Sequence, residues 1–152
     1  MAEDFELDLT YAGLPYTAPR TWEADGVDYL SYPHAVTVGF TATVGMLLNN
    51  KANGTAVKAD ASSELAANTV VVRVESATRV ICAQRANIWL TVSGAPTSGE
   101  VDLWLGEDGA ITYVAAASGL KQKIGRVLKY DGDDTLHLCA IDPEPGLAVL
   151  GL

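Results

Sequence analysis

Basic residues are what this chain lacks most. Its 152 residues hold 10 Lys and Arg against 19 Asp and Glu, for a net charge of −9 and a pI near 4.5. With no cluster of bases to neutralise phosphates, such a chain is repelled by nucleic acid and by anionic lipid, so neither direct nucleic-acid binding nor membrane attachment is expected of it. The two histidines, His34 and His137, have no HxH, HExxH or CxxC companion. A zinc or transition-metal site therefore has no recognisable ligand set, and no cofactor is expected. No apolar run approaches the ~20 residues that span a bilayer. The opening Met1-Ala2-Glu3-Asp4-Phe5 is acidic where a secretory signal has a cationic stretch, which points to a reducing, soluble setting. Charged residues make up only 19% and hydrophobic ones 49%. That composition is globular with a bland surface, suited to packing against copies of itself or a partner.

What the chain does have is unevenly distributed. Residues 1–33 hold six of the eleven aromatics, Phe5, Tyr11, Tyr16, Trp22, Tyr29 and Tyr32, together with three of the six prolines. They also hold seven acids against one base, Arg20, so this segment carries −6 of the total −9. Rings in a proline-punctuated segment without period build no core of their own and are available to another surface. Residues 1–33 are expected to be an extended docking arm, with those six aromatics as its partner-binding residues.

Beyond residue 33 the apolar period is two. Ala35 to Val44 sets Val36, Val38, Phe40, Ala42 and Val44 on one face. Val70, Val72 and Val74 alternate with Val71, Arg73 and Glu75, and Ile88, Leu90 and Val92 with Trp89 and Thr91. Asn49-Asn50-Lys51 and Asn53-Gly54 read as turns. One short helix is expected within Asp60 to Asn68, capped by Ser62 or Ser63. Val101–Leu105, Gly106–Gly109 and Ala110–Val114 read as a hairpin, as do Ile124–Tyr130, Asp131–Asp134 and Thr135–Ile141. Many short strands with glycine corners predict a mainly β chain: a small β-barrel or sandwich-like, β-tulip-like domain over 34–142 with little helix. The apolar tail in 143–152 is expected to pack on the core or on a neighbouring subunit, because an exposed greasy end invites aggregation.

Candidate chemistry is thin. Cys82 and Cys139 sit inside apolar runs and read as small buried hydrophobes, with their pairing open. His137 and Cys139 share a strand face, but a spacing of two puts them some 6–7 Å apart, too far for a base to activate a nucleophile. Asp131, Asp133 and Asp134 suit a turn better than a calcium loop. Ser93-Gly94 lacks the frame of a nucleophile elbow. Trp89, Trp104 and Tyr113 at strand spacing read as cross-strand pairs before they read as a ligand groove. No nucleophile, base and oxyanion set assembles, so no enzyme is expected.

The order of the elements resembles a known family. Thr97-Ser98-Gly99-Glu100-Val101-Asp102-Leu103-Trp104-Leu105, then Gly119-Leu120-Lys121-Gln122-Lys123-Ile124-Gly125-Arg126-Val127-Leu128, then Leu136–Ile141 is similar to the core of tailed-bacteriophage capsid decoration (cement) proteins. Ala42–Leu48 resembles that family's opening strand and glycine turn. The likeness spans residues 35–142 in pattern and excludes 1–33. It implies a virion protein, made in the host cytoplasm, that binds the major capsid protein on the outer surface of the expanded icosahedral head as a homotrimer and stabilises it against DNA pressure. Two alternatives stay open: another phage virion part, at the head–tail junction or in the tail, and a β-barrel that binds a small ligand or carbohydrate.

Overall fold

In the computed structural model the described residues are 21–22, 27–29, 31–92, 102–130, 136–145 and 148–151. They are mainly β, as the alternation predicts. The strands are β1 (Thr21–Trp22), β2 (Val27–Tyr29), β3 (His34–Val38), β4 (Leu47–Asn50), β5 (Thr55–Lys58), β6 (Thr69–Ser76), β7 (Arg79–Ala83) and β8 (Ala86–Leu90). There follow β9 (Asp102–Leu105), β10 (Ile111–Thr112), β11 (Gly119–Lys121), β12 (Lys123–Tyr130), β13 (His137–Ile141) and β14 (Val149–Gly151).

Two units pack together. The first is a closed barrel in the order β3-β5-β4-β6-β7. Its closure depends on a parallel pairing, Thr37 opposite Thr55 and Val38 opposite Ala56, in an otherwise antiparallel set. The second is a large seven-stranded sheet in the order β1-β2-β8-β13-β12-β9-β10. A separate ribbon pairs β11 with β14.

Both sides of the barrel wall facing the large sheet are dry. Leu48, Val71, Val80 and Cys82 point into the barrel with Val36, Val38 and Ala56. Their neighbours Leu47, Val70, Val72 and Ala83 point the other way, onto Ile88, Leu103, Leu105, Ile124, Val127, Cys139 and Ile141 of the large sheet. This explains the run Val70-Val71-Val72: a strand buried on both faces has no polar side to alternate with. From Arg73 to Ser76, where β6 leaves the seam, every residue is exposed.

Backbone bonds lace the seam. Leu47 N–H donates to Gly109 O at 2.9 Å, Gly109 N–H to Ala59 O at 2.6 Å, Ala61 N–H to Gly106 O at 2.9 Å and Leu120 N–H to Ala61 O at 2.8 Å. Gly109 holds φ +79, and a Cβ there would press on Met46 and on the Leu47 carbonyl, so only glycine brings this turn close enough. The fully buried Gln122 acts as a strand residue would: its Oε1 accepts from Ala67 N–H at 2.7 Å and its Nε2 donates to Ala67 O at 2.8 Å. The barrel and the large sheet thus share a buried seam and its hydrogen-bond network, beside the barrel's own interior cluster.

Three expectations need correction. Asp60–Asn68 is not helical: Asp60 and Leu65 exchange backbone bonds of 2.9 Å in both directions, closing a loop in which Glu64 takes a left-handed φ of 59. Asp60, not a serine, is the capping group, accepting from Ser62 N–H and Ser62 Oγ at 2.9 and 2.8 Å. A short aspartate that bonds its own backbone competes with helix, and this segment offers no apolar stripe to reward one. The strand expected over Ala35–Val44 stops at Val38, with Phe40 and Ala42 reaching the barrel core from a bend. Asn49 and Asn50 are strand residues, not a turn. Asn50 N–H donates to Asn68 Oδ1 at 2.8 Å, Thr69 Oγ1 donates to Asn50 Oδ1 at 2.8 Å, and Asn49 Nδ2 donates to Ala66 O at 2.8 Å. The turn follows at Lys51–Gly54.

Candidate interaction surfaces

Of the six arm aromatics, Phe5, Tyr11 and Tyr16 lie outside the described residues. The backbones of Trp22 and Tyr29 belong to β1 and β2, and β2 pairs with β8 through Val27–Ile88, Asp28–Asn87 and Tyr29–Ala86. Tyr32 follows, 87% exposed. Strands β1 and β2 therefore extend the large sheet beyond β8, with β1 at its edge. The Asp131–Asp134 turn and the Ser93–Pro96 loop also lie outside the described residues.

His34 is exposed, its Nε2 2.8 Å from Asn50 Nδ2, whereas His137 and both thiols are built inward. The Tyr113 hydroxyl and His137 Nδ1 share a hydrogen bond of 2.6 Å, ring edge to face, with both residues buried. Cys139 Sγ donates to the His137 carbonyl at 3.4 Å, so thiol and imidazole engage different partners. Burial pushes the Cys139 thiol up to about 12 and the Cys82 thiol up to about 11. Both are free and buried, one in each core cluster, where they fill space as small hydrophobes. Among the described residues no three His, Cys, Asp or Glu gather as metal ligands would.

Among the described residues, two shallow concavities lie at the seam. One, of about 270 Å³, lies among Thr43, Val44, Met46, Leu90, Asp108 and Ile111. The other, of about 380 Å³, lies among Leu105, Glu107, Thr112, Val114 and Ala117. Neither is lined by Trp89 or Trp104. Those tryptophans stand on the outer face of the large sheet, Trp89 opposite Leu138 and Trp104 opposite both Thr112 and Lys123.

That outer face holds the feature that sequence reading missed. In a regular strand Lys123, Arg126 and Lys129 would fall on both faces, since their spacing is three and the period is two. β12 carries two irregularities, one between Lys123 and Gly125 against β9 and one between Val127 and Lys129 against β13. Each adds one residue and resets the alternation. Ile124 and Val127 then point into the core, while Lys123, Arg126 and Lys129 are all exposed on the outer face, opposite Trp104, Ala140 and Leu138 respectively. Gly125 makes the first irregularity possible: its φ is +156, and a Cβ would collide with the Ala140 carbonyl oxygen. Lys123 Nζ lies 3.1 Å from Asp102 Oδ1, and neither Arg126 nor Lys129 has an acidic partner among the described residues. The available signal was the Gly125 inside a strand, which marks a bulge.

Large apolar side chains also face outward. Val114 is 71% exposed, Val149 and Leu150 of the β14 ribbon are each 58% exposed, and Leu128 at the second bulge is 51% exposed. Ribbon strand β14 is thus held by backbone pairing to β11 with Val149 and Leu150 left outside, while Pro143 is buried and Ala148 packs on the core.

No protein-family model matches the sequence, and no curated protein matches it either.

Proposed function

We propose that this chain is a capsid decoration protein of a tailed bacteriophage. It binds the major capsid protein on the outside of the expanded head as a homotrimer and holds capsomers together against the pressure of packaged DNA. The observation that carries the reading is the division of the side chains. The Cys82 and Cys139 thiols, the His137 imidazole and the Tyr113 phenol are buried, whereas Val114, Leu128, Val149 and Leu150 are turned outward. A molecule arranged this way acts through the surfaces it covers. The arm adds rings to the same purpose, and each ring buried on a neighbour contributes on the order of 1.5–3 kcal/mol from area. Aromatic anchors commonly dominate an interface. The sequence order of elements over residues 35–142, which resembles the decoration family, suggests the identity of the partner.

Co-sedimentation with expanded heads of the encoding phage, stripped of their decoration, tests the proposal. Saturation at a fixed number of copies per capsid subunit, with heads more resistant to heat, is the expected result. No binding at micromolar protein would overturn it.

A further inference from the structure

We propose that, in the free molecule, the N-terminal segment docks across the outer face of its own large sheet. The carboxylates of Glu3, Asp4, Glu6 and Asp8 meet the row Lys123–Arg126–Lys129, and Tyr11 and Tyr16 lie over Leu138 and Trp89. Three observations point to this occupant. The first is charge. The exposed side chains of β9, β12 and β13 on this face carry three bases and one acid, Asp102, in a chain whose total is −9. Four acids fall within residues 3–8, and the base nearest them in sequence is Arg20.

The second is where the segment is attached. Residue 20 leads directly into β1, an edge strand of this same sheet, so the segment is tethered to the rim of the face. From β1 to β12 is four strand spacings, about 19 Å. The residues between Asp8 and Thr21 reach about 43 Å when extended, which is ample. The tether sets a millimolar effective concentration, so contacts that are individually weak suffice.

The third is order. Moving inward from β1 across the sheet, the outer face presents Trp89 on β8, then Leu138 on β13, then the basic row on β12. Moving back along the chain from Thr21, the segment presents Tyr16, then Tyr11, then the acids at 8, 6, 4 and 3. Rings meet apolar and aromatic side chains, and acids meet bases, without any crossing of the chain. An arm held this way keeps its rings off other free copies and has to leave the face before it reaches a capsid.

The inference does not rest on the capsid reading, because its test uses the free full-length protein. Carbodiimide coupling of an equal mixture of ¹⁴N- and ¹⁵N-labelled protein joins carboxylates to nearby lysines, and mass spectrometry reads the linked peptides. Links from Lys123 or Lys129 to residues 3–8 are expected within one isotope only. They should fall at least about fivefold in roughly 0.5 M NaCl, where exposed charges are screened. Arg126→Glu should lower them similarly. The Lys123–Asp102 pair, at 3.1 Å, reports that the sheet is intact in every sample. An intact Lys123–Asp102 link without any link to residues 3–8 would overturn the proposal. So would mixed-isotope links, which place the segment on a second copy, or full linkage in Arg126→Glu.

Discussion

The barrel and the large sheet are made from the same kinds of residues, yet they end in opposite conditions. The barrel closes on itself through the β3–β5 and β3–β7 pairings, so it has no free edge and its wall is dry on both sides along the seam. The large sheet stays open, with β1 and β10 as its edges and one face turned to solvent. Closure pairs every strand of the barrel and leaves it no edge to extend. Openness leaves edges and a basic row on the sheet, and the contacts proposed above are assigned to it.

The largest effects should come from the shared wall. Leu47 and Leu48 are adjacent and fully buried, but Leu48 fills the barrel whereas Leu47 fills the seam. Each Leu→Ala should cost about 3–5 kcal/mol in urea unfolding. Hydrogen exchange separates them: Leu48→Ala should speed exchange within β3–β7 alone, whereas Leu47→Ala should speed it in both units. Identical patterns would mean that the two clusters are energetically one.

A smaller effect should come from Gln122→Met, which keeps the volume and strands the Ala67 N–H and C=O away from water. The expected loss is about 2–4 kcal/mol, against near zero if water enters to replace the amide. Equilibrium unfolding monitored by tryptophan fluorescence reads it.

The thiols give a gentler comparison, because one lies in each cluster. Their pKa values are raised in the folded state, so the folded thiols stay protonated at pH values where the unfolded ones ionise. The stabilisation is complete below an ordinary thiol pKa near 8.5–9. It is lost as pH rises toward about 11 for Cys82 and about 12 for Cys139, at about 1.4 kcal/mol per pH unit for each thiol. Cys82→Ala and Cys139→Ala should each flatten the alkaline slope of stability by one proton. Native protein at pH 8 should resist alkylation at both positions.

Much of this fold was legible. Val101–Val114 and Ile124–Ile141 announce their hairpins by alternation and Gly-Asp turns, and β9–β10 and β12–β13 pair accordingly. Barrel closure was not legible, because it depends on a parallel pairing between residues that nothing local connects. Nor was the double burial of Val70-Val71-Val72, since a run of valines has the same period in a half-buried strand and in a wall. Asp60–Asn68 misled because Asp and Ser near a run of alanines read as a helix start, whereas in space the aspartate closes a loop on itself. The basic row escaped because two bulges, not the period, put Lys123, Arg126 and Lys129 on one face. Of the arm aromatics, Tyr32 is exposed, and β1 and β2 place the useful cut for testing the arm at residue 20.

The most direct measurement compares the full chain with a deletion of residues 2–20 for binding to stripped, expanded heads. The deletion keeps β1 and β2, so a single cooperative unfolding transition together with at least about tenfold weaker binding is expected, the loss of one buried ring being worth that much. Equal binding by the shortened chain would contradict the role given to the arm, and binding by neither would contradict the decoration reading itself.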